Sequence, residues 1–310
     1  MTRPKVSVIV ASFNAIDTID GCLSALAGQE CNEPFEVVVI DSSSDGTADA
    51  VRRFPDVVLH TFADRKFPGE ARNLGAARSE GEILAFTDAD CVPDRRWVRE
   101  IVDAHRRSDP VIGGTIDNAN PESRVGWAYF FCELNQWMPG TPAGYMDDIP
   151  TGNLSVKRWA FDRYGPFLEG TYSSDTAFNW RIAEDGHRPF FVPDMRVSHV
   201  NVTDLADYLR RKIFHGRCFA RVRVAERGFS LARRLAYAVV SLGLPILLSA
   251  RAIRNVLGRG AYRREFARSF PLVVLGLGAW SWGELLGYLD GAEEYGVPLD
   301  PDLASVRARQ

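Results

Sequence analysis

The sequence has few cysteines, and their placement excludes a disulfide framework. The five cysteines are odd in number, include no C-x-x-C pair and lie at Cys22, Cys31, Cys91, Cys132 and Cys218. Disulfide-rich domains and structural zinc sites depend on closely spaced cysteines, so neither class fits this chain. Scattered, unpaired cysteines are typical of a protein that works in a reducing compartment.

Three further absences narrow the function. Met1 to Lys5 leads directly into an apolar run without a charged n-region or cleavage site, so the sequence predicts no secretory signal. No G-x-G-x-x-G follows the first apolar run, which disfavours a dinucleotide-dependent dehydrogenase. A net charge of −3 over 310 residues gives no reason to expect nucleic-acid binding. The composition, 46% hydrophobic and 25% charged, indicates a folded globular protein instead.

The first hundred residues alternate apolar runs with amphipathic segments. Apolar, mostly β-branched runs predict strands at Val6–Ala11, Phe35–Ile40, Val57–Thr61 and Ile83–Thr87. Helical spacing predicts three helices in this part of the chain. The first carries Ile16, Ile19, Leu23 and Leu26, the second begins with a capping Thr47, and the third spans Gly69–Arg78. Strands that alternate with helices in this way predict an α/β sheet flanked by helices.

Polar residues follow three of the predicted strands. Ser12 and Asn14 follow the first strand, Asp41 the second and Asp88 the fourth. Ligands of such sheets bind at the carboxyl ends of the strands, so these residues are expected to bind the substrate together.

Asp88 and Asp90 form a carboxylate pair directly after an apolar strand. Such a pair is costly unless a positive charge lies between the two groups. Mn²⁺ or Mg²⁺ takes hard oxygen ligands from one or two carboxylates and completes its shell with substrate phosphate. The alternative is that both aspartates cap a helix that begins near Asp94.

Five motifs follow one another in a specific order: VSVIVASFN, VVVIDSSSDGT, GEARNLGAARSEGEILAFTDAD, TGNLSVKR and SSDTAFNWR. In this order the sequence resembles the family 2 glycosyltransferases of GT-A fold, from about Val6 to His199. The resemblance implies a GT-A type, Rossmann-like mixed sheet flanked by helices. It also implies an inverting enzyme that moves a sugar from a nucleoside-diphosphate donor, with a UDP-sugar favoured, to an acceptor hydroxyl.

The resemblance implies roles for the residues at the sheet edge. Asp41 would bind the base edge of the donor, Arg72 would contact the nucleotide, and Asp88 would lie near the ribose or sugar. Asp90 would be the principal metal ligand. Carboxylates accept hydrogen bonds from base N–H groups and ribose hydroxyls, and arginine offers a planar fork to phosphate. In isolation, Asp41 could equally cap a loop and Arg72 could be a solvated helical residue.

Two later residues complete the predicted site. Asp175 begins a helical pattern and is either an N-terminal cap or the general base that takes the acceptor proton. Related enzymes usually have glutamate just before this aspartate, whereas this chain has Ser174. His199 is either structural or a metal ligand. The Q-x-x-R-W motif of processive synthases is absent, which favours single additions.

From about Asp204 the sequence becomes basic. Nine Lys or Arg residues lie between Arg210 and Arg234, against one acidic residue. An apolar stretch interrupted by Pro245 follows at Leu235–Ala250. Because this stretch is short, it is predicted to be re-entrant or interfacial, with basic residues at anionic headgroups.

A second apolar stretch spans Phe270–Leu289 and carries one charge, Glu284. It is long enough to cross a bilayer, and Glu284 is expected to face protein or a polar pocket. The alternative for both stretches is that they are buried core helices.

Together these patterns predict a catalytic domain over residues 1–203 and a membrane-associated helical region over 204–310. The expected location is the cytoplasmic face of the cell membrane, with membrane lipids as partners and a glycan or polyprenyl-linked acceptor. Two alternatives stay open. One is a catalytically weak or inactive membrane-bound scaffold, to which Ser174 points. The other, less favoured, is a nucleotidyltransferase, which would need a Gly-rich phosphate loop after the first strand.

Overall fold

The computed structural model describes residues 3–291 of the 310-residue chain. The strands are β1 (Val6–Ser12), β2 (Phe35–Asp41), β3 (Val57–Thr61), β4 (Ile83–Asp88), β5 (Cys91–Pro93), β6 (Val111–Asn118), β7 (Gly144–Tyr145), β8 (Leu154–Lys157) and β9 (Phe190–His199). The helices are α1 (Ile19–Ala27), α2 (Thr47–Val51), α3 (Pro68–Ala77), α4 (Trp97–Ala104), α5 (Arg124–Glu133), α6 (Arg158–Tyr164), α7 (Ser174–Glu184), α8 (Leu205–Glu226), α9 (Leu231–Ser241), α10 (Leu244–Arg259) and α11 (Arg263–Asp290).

The strands form one mixed sheet in the order β3-β2-β1-β4-β8-β6-β9-β5, with β7 beside β9. The first four strands are parallel, whereas β8 is antiparallel to both β4 and β6. Helices cover both faces of the parallel part, so Val8, Ile9 and Val10 of β1 are fully buried. This architecture confirms the predicted mixed α/β fold.

The register of the parallel strands brings the polar strand ends together. Ser12 pairs with Asp41 across β1 and β2, and Ala11 pairs with Asp88 across β1 and β4. The three carboxyl ends therefore meet at one edge of the sheet, as the sequence predicts.

Local predictions at two helix starts are wrong. Thr47 is the first residue of α2 rather than its cap, because the cap is Gly46 in the left-handed region with a φ of 92°. The backbone N–H of Thr47 donates to Oδ1 of Asp45 at 3.1 Å. Ile16 lies before α1 and is exposed, so it is not part of the helix's buried face.

Helix α5 joins the sheet to the C-terminal helices. The ring of Phe131 packs edge-on against Phe266 of α11 at 4.9 Å, and Tyr129 lies 6.0 Å from Tyr208 of α8. The hydrophobic core is therefore continuous from the sheet into α8 and α11.

Helices α8 and α11 approach closely through glycines. A Cβ atom at Gly216 would lie 2.2 Å from the carbonyl oxygen of Trp280, and one at Gly283 would lie 2.0 Å from that of Ile213. Only glycine permits backbones to meet at this distance. Glu284, next to Gly283, is buried in this contact, which confirms that it faces protein.

The first C-terminal apolar stretch is broken into α9 and α10, which bend by 60° at Leu242 and Gly243. Pro245 lies in the first turn of α10, where its missing N–H costs no helical hydrogen bond. Large apolar side chains at the bend are exposed, among them Leu242, Ile246 and Leu247. Within residues 3–291, α11 is the one unbroken helix with the length and hydropathy to cross a membrane, and 44% of its apolar window is buried.

Candidate active site

A cavity of about 1250 Å³ lies at the carboxyl ends of β1 and β4 and extends toward the C-terminal helices. Seven of the eight predicted site residues line it: Ser12, Asn14, Arg72, Asp88, Asp90, Asp175 and His199. The eighth, Asp41, is 2% exposed and lies behind the wall. The fold therefore brings together residues as far apart in the sequence as Ser12 and His199.

Asp41 and Ser12 are neighbours at the sheet edge. The hydroxyl of Ser43 donates to Oδ1 of Asp41 at 2.6 Å. The Oγ of Ser12 is buried and has no hydrogen-bond partner within residues 3–291. Asn14, with a φ of 49°, accepts the backbone N–H of Ser44 at 3.1 Å and ties the two loops together. The hydroxyl of Ser12 thus keeps an unused hydrogen-bonding capacity at this edge.

Asp88 and Arg72 form an ion pair in the cavity wall. Nη2 of Arg72 on α3 donates to Oδ1 of Asp88 at the end of β4. Arg72 is 5% exposed, and its Nε has no hydrogen-bond partner among the described residues. The other carboxylate oxygen of Asp88 faces Gly152, where a Cβ atom would lie 3.5 Å away.

Neither member of the carboxylate pair caps a helix. β5 follows Asp90 directly, and α4 begins only at Trp97, with Arg96 as its N-cap. The side chain of Asp90 is 41% exposed. Desolvation in the cavity raises the pKa of Asp90; His199 lowers it, and the charge of Asp88 raises it further. A cation beside Asp90 would offset both the desolvation of its carboxylate and the repulsion from Asp88.

His199 faces Asp90 across the β5–β9 pairing. Nε2 of His199 lies 3.5 Å from Oδ2 of Asp90. The Nδ2 of Asn201 donates to Asn118 at 2.7 Å, which leaves its Oδ1, 3.0 Å from Nδ1 of His199, to accept the imidazole N–H. Nε2 is then the ring nitrogen of His199 that faces the carboxylate of Asp90. That arrangement fits two ligands awaiting a cation between them.

Cys91 completes the group, and no sequence pattern pointed to it. One potential ligand atom each from Asp90, Cys91 and His199 lies within 4.8 Å of the others. Burial, and then the charges of Asp90 and Asp88, raises the pKa of the Cys91 thiol well above its usual value. A neutral thiol is a poor metal ligand, and Mn²⁺ and Mg²⁺ prefer oxygen and imidazole donors. The donor set therefore fits a hard divalent cation on Asp90 and His199.

Asp175 lies inside helix α7, in its first turn, and is not the cap. The N-cap is Ser173, whose φ is 61°. Oδ2 of Asp175 accepts the backbone N–H of Thr151 at 3.2 Å and its hydroxyl at 3.3 Å. Ser174 is buried and lies against Gly69 of α3, so this position contributes no carboxylate to the cavity.

Part of the basic segment faces the cavity, although the sequence predicted it at lipid headgroups. Lys212 of α8 is buried, pairs with Glu133 of α5 and lies 4.1 Å from the ring centroid of Tyr129. His215 lies one turn further and places Nδ1 3.2 Å from Glu133. Burial alone would raise the pKa of Glu133, but Lys212 and His215 hold it below its usual value.

The far end of the cavity lies between α8, α10 and α11. Glu284 accepts the indole N–H of Trp280 at 2.6 Å and the hydroxyl of Tyr288 at 3.2 Å. Arg223 and Arg251 also line this end, and the Nε of Arg251 is buried without a hydrogen-bond partner within residues 3–291. The apolar part of the wall comes from Leu244, Leu248 and Leu277. Such a wall suits an amphipathic ligand with an anionic group.

Comparison with known sequences places this geometry in context. The family described as glycosyl transferase family 2 matches residues 7–164, just over half of the chain. Glycosyltransferase AglE of Haloferax volcanii is 29% identical over 206 residues, covering 64% of this chain and 67% of AglE. Pre-mycofactocin glycosyltransferase of Mycobacterium tuberculosis is 26% identical over 226 residues, covering 68% of this chain. The match spans 46% of that relative, about half its length. A glucosyl-dolichyl phosphate glucuronosyltransferase of Haloferax volcanii is 24% identical over 186 residues, covering 54% of this chain and 57% of that relative's length.

Solved structures show the same fold. Mannosyltransferase PcManGT of Pyrobaculum calidifontis, solved with GDP-Man and Mn²⁺, has a TM-score of 0.54 and 22% identity. The similarity covers 100% of this chain and 80% of PcManGT. TarS of S. aureus, solved with UDP-GlcNAc, also has a TM-score of 0.54, with 16% identity over 87% of this chain and 89% of the TarS chain. These similarities confirm the predicted GT-A fold.

Proposed function

The chain belongs to glycosyl transferase family 2, and on that premise we propose that it is an inverting, metal-assisted transferase. It would move a sugar from a nucleoside-diphosphate donor to an acceptor hydroxyl. One observation carries the proposal: the paired carboxylates Asp88 and Asp90 line the same cavity as Asp175. The diphosphate of a donor and the base that deprotonates the acceptor would thus lie in one cavity.

The donor would bind at the carboxyl edge of the sheet. Asn14 and the unpartnered hydroxyl of Ser12 lie where the nucleotide would enter. A base there would reach the carboxylate of Asp41 by displacing the Ser43 hydroxyl that now donates to it. The Arg72–Asp88 pair would lie beneath the ribose or sugar. PcManGT and TarS were solved with nucleotide sugars, and a UDP-sugar remains our favoured donor.

Asp90 and His199 would hold the divalent cation. Bound Mn²⁺ or Mg²⁺ supplies positive charge that stabilises the departing diphosphate. Mn²⁺ in PcManGT supports the same type of ion here. The contribution of this chain is to orient His199 through Asn201 and to keep Asp90 at the cavity surface.

Asp175 would be the general base. Its Oδ2 is fixed by two hydrogen bonds from Thr151, so the carboxylate is held in place in the cavity wall. The acceptor hydroxyl would lose its proton to Asp175 as its oxygen bonds to the anomeric carbon. The bond from that carbon to the diphosphate would break with its electron pair leaving on the diphosphate. A single displacement of this kind inverts the anomeric configuration.

The acceptor would be a lipid-linked or membrane-proximal glycan. The far end of the cavity combines arginines with leucines, which suits an anionic headgroup joined to an apolar chain. Arg251, whose buried Nε has no partner within the described chain, is the best placed to meet a phosphate. The name of one relative, a glucosyl-dolichyl phosphate glucuronosyltransferase, supports this class of acceptor.

We further propose that residues 1–203 are the catalytic domain and that 204–310 attach it to a membrane. The exposed apolar bend between α9 and α10 would lie in the interface, and α11 would insert more deeply. Residues 292–310 of this region lie outside the described residues. None of the five cysteines, all of which lie within residues 3–291, forms a disulfide, which supports a location at the cytoplasmic face of the membrane.

The proposal is tested by nucleotide binding and donor hydrolysis. A panel of UDP-, GDP- and dTDP-sugars with Mn²⁺ would be screened by thermal shift and by release of nucleoside diphosphate. We expect Mn²⁺-dependent binding that Asp90→Ala and a chelator abolish, whereas Asp175→Asn keeps binding but loses hydrolysis. Asp103→Ala, an exposed aspartate on α4, is the control and should behave like the wild type.

Two outcomes would contradict the proposal. Binding that is unaffected by chelator and by Asp90→Ala would remove the metal site. Mn²⁺-dependent binding without hydrolysis or transfer, in the wild type as in Asp175→Asn, would support the scaffold to which Ser174 points.

A further inference from the structure

The base of the proposed reaction has a second carboxyl group beside it. Asp148 lies in the loop between β7 and β8 and lines the same cavity as Asp175. Sequence reasoning did not select Asp148, because the 26 residues 149–174 separate it from Asp175. Helix α7 itself offers only one carboxylate in its first turn, since its other early positions are Ser174 and Thr176.

Two residues of α7 connect the carboxyl groups. The backbone N–H of Thr176 donates to Oδ1 of Asp175 at 2.9 Å, while its hydroxyl donates to Oδ2 of Asp148 at 3.3 Å. The amide of Asn179 donates to Oδ1 of Asp148 at 2.7 Å and to the carbonyl of Asp175 at 3.0 Å. These bonds fix Asp148 against the turn of helix that presents Asp175.

We propose that Asp148 is the positioning partner of Asp175: it holds the first turn of α7 through Thr176 and Asn179, and its charge sets how readily Asp175 takes up the acceptor proton. The inference rests on the proposed function, because it assigns a partner to the base of that reaction. Asp148 makes no bond to the reacting atoms in this scheme. It acts through its charge on Asp175 and through Thr176.

The electrostatic surroundings of Asp148 favour its protonated form. Burial, and then the charge of Asp175, raises the pKa of Asp148 from 3.8 to about 7. On its own loop the neighbouring group is Asp147, which is exposed and pairs with Arg188 at 2.7 Å. From α7 the charged group is Asp175, and the other contacts are the neutral Thr176 and Asn179. Arg188 pairs with Asp147, and no other cation among these groups neutralises Asp148. The carboxyl group of Asp148 is therefore neutralised by its own proton.

This arrangement predicts how the rate depends on pH. Below about pH 7, Asp148 is neutral. Above it, ionised Asp148 places a negative charge near the base, which favours transfer of the acceptor proton. The acceptor proton still passes to Asp175, and no group is consumed or oxidised.

The test uses hydrolysis of the donor selected by the nucleotide-sugar screen, with water as acceptor and Mn²⁺ present. We expect the wild-type kcat to rise roughly threefold to tenfold between about pH 6 and about pH 8. In Asp148→Asn this rise should disappear while the donor KM stays unchanged. Asp147→Asn is the control, because its carboxylate is 93% exposed, and it should keep the wild-type profile.

A second measurement does not depend on turnover. In the folded protein Asp148 keeps its proton up to about pH 7, whereas unfolded it ionises near 3.8. The wild type should therefore lose thermal stability relative to Asp148→Asn as pH rises through this window, and Asp147→Asn should follow the wild type. Asp175→Asn should reduce the effect, because the repelling charge is gone.

The inference is overturned if Asp148→Asn retains the wild-type rise in kcat. It is also overturned if the wild type, Asp148→Asn and Asp147→Asn show the same dependence of unfolding on pH. Absence of both nucleotide binding and hydrolysis in the wild type would refute the proposed function instead. In that case the unfolding comparison still decides whether Asp148 keeps its proton in the folded protein beside Asp175.

Discussion

Arg72 on α3 and Asp88 at the end of β4 form an ion pair in the wall of the cavity, with the arginine almost wholly buried. The carboxylate has one oxygen on the guanidinium and the other turned toward Gly152. The pair therefore joins the helix that follows β3 to the strand that carries the metal-site aspartates. It makes the positions of the two residues interdependent.

Removing the carboxylate should destabilise the protein. Asp88→Ala leaves the buried Arg72 without its counter-charge, which typically costs about 3–5 kcal/mol of the free energy of unfolding. Urea unfolding measures the loss, and the double variant Arg72→Met/Asp88→Asn should recover much of it.

Asp90→Asn is the matched control for this pair. Desolvation outweighs the opposing charges of His199 and Arg211 and raises the pKa of Asp90, so the substitution should leave stability unchanged or increase it. Equal destabilisation by Asp88→Ala and Asp90→Asn would contradict an ion pair specific to Arg72.

Gly283 should be far less tolerant of substitution than Gly278 on the same helix. A Cβ atom at Gly283 would lie 2.0 Å from the carbonyl oxygen of Ile213, whereas one at Gly278 meets nothing within 4 Å. Gly283→Ala should cost about 1–3 kcal/mol by forcing α8 and α11 apart. Gly278→Ala should be neutral or stabilising by up to about 1 kcal/mol, because alanine favours helix. Thermal unfolding distinguishes them, and similar values for both variants would refute the close packing.

Binding to membranes should depend on the exposed bend between α9 and α10. Ile246 is 78% exposed, and Leu247 beside it is also exposed. Replacing either with glutamate removes about 1.5–3 kcal/mol of apolar burial and should weaken binding to anionic vesicles about tenfold or more. Val58→Glu, an exposed apolar residue on β3, should have no effect in the same sedimentation assay. Vesicle binding that all three variants retain would argue against this attachment surface.

His105 should make stability fall in acid. Its Nε2 lies 2.9 Å from the hydroxyl of Ser155, which in turn donates to the carbonyl of Ile112. Burial, and then Lys157, lowers the pKa of His105 from 6.5 to about 3. Between these values the unfolded chain binds a proton that the folded protein does not. The contribution of neutral His105 to the free energy of unfolding is complete above about pH 6.5. It is lost at up to about 1.4 kcal/mol per pH unit as the pH falls toward 3.

The variant His105→Gln isolates this contribution. It should be less stable than the wild type near neutral pH, and the difference should shrink as the pH falls. Chemical unfolding at several pH values measures the difference, and a difference that is constant with pH would contradict a neutral, buried histidine.

The sequence was sufficient for the parallel half of the sheet. Val6–Ser12 and Ile83–Asp88 are continuous apolar runs, as expected for strands that are buried on both faces. Their ends were predictable to within a residue. β5 was not predictable, because Cys91–Pro93 has only three residues and becomes a strand through pairing with β9. The break between α9 and α10 was indicated by Pro245, but the angle depends on packing.

For the site, the sequence by itself determined the chemical groups and the tertiary structure determined their partners. Asp90 and Asp175 could be selected because polar residues at the start or end of an element are local patterns. That Asp88 faces Arg72, that His199 meets Asp90, and that Asp148 adjoins Asp175 were decided only by strand register and helix packing. Hydrogen bonds and charge interactions act over a few ångströms in space, and a linear sequence does not encode those distances directly.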